Sequence, residues 1–276
     1  MKMYDAELER VSTRYGRLYV IQNDSVIGRS LKLYGEWAEN EIDSYATLLT
    51  NDETILDVGS NIGTHAIALA SRFPGSEVVA FEPQPLAFSL LVANALAART
   101  PNIYPRNLGC AETEGLVHVA PDYSVVDWNV GGFSLRPDQQ SATVGALPIA
   151  LVALDDLKFR RRVQFIKIDV EGMEESVLAG ASKLIEQDRP IIYFEVLEMD
   201  RLKGPRKALM DLGYELRWLK SEAFNPRNYR LNPDNIWRRG ETGVLAMPRP
   251  NDTRVAHLAE VTGDEAQVPV IEYPGA

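Results

Sequence analysis

Residues 54–63, TILDVGSNIG, decide the fold, because they join an apolar run to a turn that contains two glycines. The apolar run predicts a buried strand, and residues 62–73, IGTHAIALASRF, have the length and composition of a helix. Gly59 and Gly63 let the backbone turn sharply and approach a ligand, while the first turn of the helix presents free N–H groups. The stretch therefore predicts a strand–loop–helix unit that holds a ligand at the end of a strand.

Short apolar runs alternate with amphipathic segments along the rest of the chain, which is typical of a parallel sheet with crossover helices. Pro105 lies inside one predicted strand and weakens that prediction. The pattern predicts one doubly wound α/β domain with a mostly parallel seven-stranded sheet and helices on both faces. The further predicted strands are 78–83, 102–109, 163–170, 191–197, 214–219 and 242–248, and the further helices are 86–99, 173–187 and 204–214.

The segments around this core are predicted from their local patterns. Residues 20–28, VIQNDSVIG, carry a hairpin-like signal, and residues 36–50 have apolar side chains at helical spacing. The stretch 121–140, which contains Gly131-Gly132, is a candidate lid over a site. The predicted parts are an N-terminal strand and helix cap (1–50), the α/β domain (51–254) and a C-terminal tail (255–276).

Composition excludes several classes of protein. The 276 residues carry a formal net charge of −10 at pH 7, which argues against nucleic acid as a partner, and they contain one cysteine, which excludes an intrachain disulfide framework. No uncharged stretch reaches the roughly 20 residues of a membrane-spanning helix. The N-terminus MKMYDAELER lacks the apolar core of a signal peptide, so we expect a cytoplasmic protein without a membrane partner.

Charge is unevenly distributed along the chain. Residues 201–254 carry twelve basic and six acidic side chains, although the chain as a whole is acidic. Such a segment is either a solvated surface or a local positive field that guides an anionic substrate to a cleft. The sequence leaves both interpretations open.

The turn at residues 57–63, DVGSNIG, lacks the G-x-G-x-x-G spacing of a dinucleotide site. Asp57 would repel a pyrophosphate, but it would accept a hydrogen bond from an ammonium group of a ligand. Glu82 closes the next predicted strand, 23 residues after Gly59, and an acid there hydrogen-bonds the two hydroxyls of a ribose. Together these features predict a nucleoside cofactor with a cationic amino-acid portion.

DVGSNIG, followed by VVAFEP at 78–83, resembles the S-adenosylmethionine (SAM) site of class I methyltransferases. The runs VALDDL, KIDVEG and PIIYFEVLE within 152–198, and the GEW and NEID segments within 35–43, are similar to the FkbM family of methyltransferases. This resemblance covers roughly residues 34–200. It implies a Rossmann-like fold, SAM as the cofactor and O-methylation of a hydroxyl on a sugar, polysaccharide or secondary metabolite.

The resemblance also implies which residues contact the cofactor, through their positions in the matching motifs. The candidates are Asp57, Gly59, Ser60, Asn61 and Gly63 at the methionine end, Glu82 with its neighbour Pro83 at the ribose, Asn107 and Leu108 at the adenine, and Asp169 beside the reacting methyl group.

Carboxyl groups follow two of the predicted strands: Asp169 and Glu171 follow one strand, and Glu195 lies near the end of the next. A base that removes the proton of a hydroxyl makes it a better nucleophile, so Glu195 or Asp169 is the predicted base and the other orients the acceptor. Glu171 is a further catalytic candidate, with capping of the following helix as its alternative. His65 is either a base or a packing residue.

Asp169 and Glu171 alone do not make a metal site, so no metal is predicted. Four aromatic side chains are candidates for an apolar wall over the acceptor, and each has core or loop packing as its alternative: Tyr34, Trp37, Trp128 and Phe133.

The leading prediction is a SAM-dependent O-methyltransferase that acts by in-line methyl transfer on a small-molecule or carbohydrate acceptor. The acceptor is expected to be anionic if the basic segment guides it, and the protein is a candidate homo-oligomer. The alternatives are an N-methyltransferase, a SAM-binding module without turnover, and a nicotinamide dehydrogenase, against which the glycine spacing argues.

Overall fold

The computed structural model describes residues 7–119, 135, 146–249, 251–263, 265 and 267–271. The strands among them are β1 (Leu8–Thr13), β2 (Gly16–Ile21), β3 (Thr54–Val58), β4 (Glu77–Phe81), β5 (Ile103–Arg106), β6 (Gly109–Cys110), β7 (Gly115–Val119), β8 (Leu147–Val152), β9 (Val163–Ile168), β10 (Ile191–Glu195), β11 (Glu215–Glu222) and β12 (Gly240–Met247). The α-helices are α1 (Ile27–Tyr34), α2 (Glu39–Ala46), α3 (Thr64–Arg72), α4 (Pro85–Ala98), α5 (Glu174–Ala179), α6 (Ser182–Asp188) and α7 (Met199–Asp211).

Seven strands form the central sheet in the order β11-β12-β10-β9-β3-β4-β5. Strands β5, β4, β3, β9 and β10 run parallel, while β12 runs antiparallel to both β10 and β11. Every residue of β3 and β9 is buried, as expected for inner strands covered on both faces. The α/β class with a mostly parallel seven-stranded sheet is therefore confirmed.

Helices cover both faces of this sheet and form two separate apolar clusters with it. Burial of one such aliphatic side chain contributes roughly 1.5–3 kcal/mol, so these two layers are the main source of stability. Helices α5 and α7 supply Val177, Leu202 and Leu209 to one cluster, and helices α2, α3 and α4 supply Ile42, Ile67 and Leu91 to the other.

The strand that contains Pro105 forms as predicted and lies at the edge of the sheet. Strand β5 pairs only with β4 in the central sheet, with Pro105 opposite Ala80. Proline has no N–H to donate, so an edge position is where a strand tolerates it.

The N-terminal segment differs from the sequence prediction in the position of its hairpin. Strands β1 and β2 form the hairpin, and its turn lies between Thr13 and Gly16 rather than within residues 20–28. Asp24 instead accepts hydrogen bonds from the backbone N–H groups of Val26 (2.9 Å) and Gly28 (3.0 Å), which turns the chain into α1. The hairpin prediction for residues 20–28 is therefore wrong, because these residues lead into α1, a helix that was not predicted from the sequence.

Glu36 fastens this N-terminal segment to the loop between β11 and β12. Its buried carboxylate accepts hydrogen bonds from Arg14 Nη2 (2.6 Å), Asn225 Nδ2 (2.7 Å) and the backbone N–H of Tyr229 (2.8 Å). Through the Glu36 side chain, the GEW segment thus binds both the β1–β2 turn and the β11–β12 loop.

The single helix predicted over residues 173–187 is two helices, α5 and α6, because Gly180 interrupts it. A Cβ atom at Gly180 would lie 2.0 Å from the backbone oxygen of Ala111, so the chain approaches this loop as only glycine allows. The predicted apolar stripe nevertheless faces the core, since Val177 and Ile185 on either side of the break are buried.

The segment between β5 and β9 forms a small separate sheet in the order β6-β8-β7. Strands β7 and β8 pair in antiparallel orientation, and in the sequence they precede and follow the stretch predicted as a lid. Of that stretch, 121–140, only Leu135 belongs to the described residues, so the lid prediction and Gly131-Gly132 lie outside them.

The segment predicted as a C-terminal tail packs along the sheet where the structure describes it. Val255 and Val261 are buried, and the N–H of Val261 donates to the Leu216 carbonyl of β11 (3.0 Å). Glu265 accepts a hydrogen bond from Nε1 of Trp218 (2.9 Å). Further along the chain, the side chains of Val268 and Val270 line the cavity described below.

Candidate active site

A cavity of about 510 Å³ opens at the carboxyl ends of the parallel strands. In an open α/β sheet this edge is where ligands bind. Of the residues predicted to form the site, the cavity wall contains Gly59, Ser60, Asn61, His65, Glu82, Pro83, Leu108, Asp169, Glu171 and Glu195. Asp57, Gly63 and Asn107 are not among the residues that line the cavity.

The loop between β3 and α3 is held by hydrogen bonds to β4 and by one serine side chain of its own. The N–H groups of Gly59 and Ser60 both donate to the Phe81 carbonyl (3.0 and 2.9 Å), and Ser60 Oγ donates to the Asp57 carbonyl (2.7 Å). Gly59 adopts φ +85°, and a Cβ there would lie 1.8 Å from the backbone oxygen of Asp169. The loop therefore contacts the end of β9 at a distance that excludes any side chain.

Glu82 connects this loop to the start of α4. Its carboxylate accepts hydrogen bonds from the N–H groups of Asn61 and Gln84, both at 2.8 Å. Burial raises the pKa of Glu82 to about 7, despite these two donors. The neighbouring Asn61 Oδ1 is buried and has no hydrogen-bond partner among the described residues, so the loop presents an unused acceptor beside Glu82.

The predicted adenine end is only partly in contact with the cavity. Leu108 and Pro83 line it, whereas Asn107 uses its Nδ2 to donate to the carbonyls of Glu82 (2.8 Å) and Pro83 (3.1 Å). Asn107 therefore holds the loop in place instead of facing the cavity.

A buried lysine on β9, absent from the sequence predictions, stands between two of the predicted acids. Lys167 Nζ lies 3.0 Å from Asp169 Oδ2 and 3.7 Å from Asp57 Oδ1. Burial would lower the pKa of Lys167, but Asp169 and Asp57 raise it above its ordinary value. Lys167 is thus a cation beside Asp57, although neither carboxylate oxygen of Asp57 has a hydrogen-bond partner among the described residues.

Asp169 and Glu195 form a pair of carboxyl groups in opposite protonation states. Burial would raise the pKa of Asp169, but the ammonium of Lys167 and a hydrogen bond with Glu195 lower it. Burial and then the charge of Asp169 raise the pKa of Glu195 well above its usual range. The proton of the pair therefore resides on Glu195 rather than on Asp169.

Two further acids line the cavity, Glu171 and Glu241. Burial and the charge of Asp169 raise the pKa of Glu171 to about 7. Burial, followed by Glu41 and Asp169, raises the pKa of Glu241 to about 8. Helix α5 begins only at Glu174 and has no side-chain cap, so the capping alternative for Glu171 is not what the structure contains.

His65 lies in the first turn of α3 and is paired with an acid from the N-terminal segment. Its Nε2 is 3.1 Å from Glu41 Oε1, and Tyr193 Oη donates to Glu41 Oε2 at 2.8 Å. All three side chains are buried and line the cavity. The NEID segment quoted for the family resemblance contains Glu41, but sequence alone gave no reason to place it in the site.

Aromatic and basic side chains lie at one side of the cavity. Trp37 lines it and contacts Trp237 edge-on at 6.2 Å between ring centroids, and the guanidinium of Arg239 lies 5.2 Å from the Trp237 ring. Tyr34 is a core residue, since its hydroxyl donates to the Asp234 carbonyl (2.7 Å). Of the other predicted wall residues, Trp128 and Phe133 lie outside the described residues.

The described residues contain no candidate metal cluster and no candidate membrane-spanning helix. No group of three or more His, Cys, Asp or Glu side chains in this part of the chain is arranged to hold a metal ion. None of the helices described is long and apolar enough to cross a membrane.

Replacing Gly59 by Ala tests the contact between the loop and β9. We expect a loss of stability well beyond that of Gly213→Ala, because both positions have left-handed backbone but only Gly59 faces an atom that must move. The left-handed conformation alone costs about 1–2 kcal/mol for alanine, and Gly213 has no atom within 4 Å of a Cβ. Denaturant unfolding of both variants measures the difference, and equal losses would contradict the close contact.

Two relatives of this chain are methyltransferases by name. Hexuronic acid methyltransferase AglP of Haloferax volcanii is 28% identical over 70% of this chain and 74% of its own length. The 2-O-methyltransferase NoeI of Sinorhizobium fredii is 24% identical over 58% of this chain and 71% of its own length.

A solved structure and a family model agree with these relatives. The FkbM methyltransferase structure from Methylobacillus flagellatus KT has a TM-score of 0.50 and 19% identity; it is matched over 74% of this chain and 47% of its own length, so this chain spans about half of it. The FkbM methyltransferase domain model matches residues 57–226, more than half of the chain. The chain therefore belongs to the FkbM family, and it is an enzyme of the SAM-dependent methyltransferase class.

Proposed function

We propose that this protein transfers a methyl group from SAM to a hydroxyl of a sugar acceptor bound in the cavity at the carboxyl edge of the sheet. One observation carries the proposal: the same cavity contains both the β3–α3 loop with Glu82 and the carboxyl pair Asp169 and Glu195. The loop suits a nucleoside cofactor, and the pair suits a hydroxyl acceptor. The names of the two relatives support a sugar as that acceptor.

The residues of the loop fit SAM. Asn61 Oδ1 is a buried acceptor without a partner among the described residues, which suits a ligand N–H or ammonium group. Glu82 faces the cavity with a carboxyl group that two backbone N–H groups hold in position, which suits the two hydroxyls of a ribose. SAM, when bound, supplies a methyl group already activated on a sulfonium.

Calorimetric titration with SAM and S-adenosylhomocysteine tests the cofactor. We expect binding of both, no binding of NAD, and a loss of at least tenfold in affinity in Glu82→Ala, because the ribose then loses its hydrogen bonds to the carboxyl group. Glu186→Ala, which removes an exposed acid on α6, is the matched control. Binding that is unchanged in Glu82→Ala would remove Glu82 from the site.

The carboxyl pair provides an acceptor that orients the sugar. Asp169 is ionised and held by Lys167, so it accepts a hydrogen bond from a sugar hydroxyl next to the one that is methylated. The protonated Glu195 donates to Asp169 and keeps it in place. Orientation of the nucleophile for in-line attack is a large part of such catalysis, because the methyl donor needs no further activation.

Replacing Glu195 tests this division of roles. Near neutral pH we expect Glu195→Gln to retain most activity, since an amide also donates to Asp169, and Glu195→Ala to lose about tenfold or more. At alkaline pH the wild type loses the Glu195 proton, so its kcat should fall while that of Glu195→Gln does not. A pH profile of both enzymes is the measurement, and a large loss in Glu195→Gln at neutral pH would make Glu195 the base instead.

The acceptor that fits best is a sugar with a carboxylate, such as a hexuronic acid. Arg239 is the one basic residue of the segment 201–254 that lines the cavity among the described residues. Five others in this segment are paired with acids outside the cavity, which favours a solvated surface for most of its excess charge. Trp37, which also lines the cavity, offers an apolar face to a sugar ring.

A matched pair of acceptors tests the preference. Glucuronic acid and glucose glycosides differ at one carboxylate, so Arg239→Gln should raise KM for the first by about tenfold or more and for the second little. Trp37→Ala should raise KM for both, with SAM affinity unchanged. Product mass analysis on hydroxyl and amine acceptors separates O- from N-methylation, and SAM binding without any product would identify a binding module.

A further inference from the structure

Three side chains from three different elements meet on one wall of the cavity. Glu41 comes from α2, His65 from α3 and Tyr193 from β10, and their relative exposures are 4%, 7% and 1%. The two oxygens of Glu41 are divided between the others, Oε1 to His65 Nε2 at 3.1 Å and Oε2 to Tyr193 Oη at 2.8 Å. Such a buried carboxylate with both oxygens in use fixes the orientation of its partners.

The contact defines which nitrogen of His65 carries its proton. A carboxylate oxygen accepts hydrogen bonds, so the contact with Glu41 Oε1 favours a proton on Nε2 of His65. The other nitrogen, Nδ1, is then an acceptor. The structure thus holds one tautomer of a histidine that lines the cavity beside Asp169.

Acidic groups line the cavity together with His65. Asp169 is paired with Lys167 and is a weak base, since its pKa is lowered. The pKa values of Glu195, of Glu171 (to about 7) and of Glu241 (to about 8) are raised, chiefly by burial. His65 is favoured as the base because a second buried carboxylate, that of Glu41, orients its ring at the cavity wall.

We propose that Glu41 is a positioning residue that holds His65 as the proton acceptor for the sugar hydroxyl, so that the N-terminal segment takes part in catalysis. This proposal rests on the function proposed above and names the base of that reaction. Glu41 would also stabilise the imidazolium that forms when His65 takes the proton. Tyr193 would keep Glu41 in place from the opposite side.

The step balances as a displacement with general-base assistance. The hydroxyl oxygen forms a bond to the methyl carbon, and the carbon–sulfur bond of SAM breaks with its electron pair remaining on sulfur. The hydroxyl proton passes to Nδ1 of His65, which becomes a cation beside the Glu41 carboxylate. The products are the methyl ether, S-adenosylhomocysteine and a protonated His65, which then releases its proton to solvent.

Glu41→Gln is the decisive variant, because an amide can donate to Nε2 and so reverse the tautomer of His65. We expect kcat to fall about 100-fold, a typical contribution of general-base catalysis, with SAM affinity and acceptor KM close to wild type. Glu39→Gln is the matched control, since Glu39 is equally buried on the same helix but bonds Tyr15 and does not line the cavity. Its kcat should be unchanged.

A spectroscopic measurement tests the tautomer independently of activity. The chain has three histidines, so nitrogen-labelled histidine gives at most three imidazole signals, and His65→Gln identifies the one that matters. We expect the Nε2-protonated form in the wild type and in Tyr193→Phe, and the Nδ1-protonated form in Glu41→Gln. Should Glu41→Gln fail to fold, His65→Gln must still reduce kcat with SAM affinity retained.

The outcomes separate this proposal from the one on which it rests. Loss of SAM affinity in His65→Gln would overturn it, because the ring would then hold the cofactor. Unchanged kcat in Glu41→Gln, with the tautomer reversed, would also overturn it and leave Asp169 as the base. A wild type that binds SAM but methylates no sugar would refute the proposed function while the tautomer measurement still stands.

Discussion

One buried ammonium group organises the carboxyl edge of the sheet. Lys167 is 2% exposed, and the interior would strongly disfavour its charge without the two acids beside it. Those acids come from different strands, Asp57 from β3 and Asp169 from the end of β9. The two strands lie side by side in the sheet, and at their ends the loop after β3 meets the backbone of Asp169. Gly59 is the residue that fits at this contact. The cofactor loop and the acceptor side of the cavity therefore depend on the same charge.

This cation is paired with Asp57 and Asp169, and four other acids of the cavity are shifted toward their protonated forms. Burial and mutual repulsion raise the pKa values of Glu82, Glu171, Glu195 and Glu241. Protonated carboxyl groups donate hydrogen bonds and carry no charge. A cavity lined by many acids is thus compatible with an anionic sugar, because the raised pKa values reduce the negative charge that these four carboxyl groups carry near Asp169.

The sequence predicted what is local and missed what is contributed from a distance. The loop 57–63 and Glu82 were predictable because their spacing within one strand–turn–helix unit determines their positions. Gly180 interrupts a well-patterned helix only because the Ala111 loop passes there, which no local pattern reveals. Lys167 was visible as a charge inside an apolar strand, a signal that should have suggested buried acidic partners. Glu41 had no such signal, since α2 reaches the cavity only through tertiary packing.

The limits of the family match follow from the same geometry. The matched region, residues 57–226, contains the cofactor loop, Lys167 and the carboxyl pair, whereas Glu41, Arg239 and Glu241 lie outside it. The cavity combines both groups, since residues before and after the matched region line the side where an acceptor would bind. The matched domain therefore contains the loop that we propose for the methyl donor, and segments outside it supply other parts of the cavity wall. Similarity over the domain consequently predicts the type of reaction more securely than the molecule that is methylated.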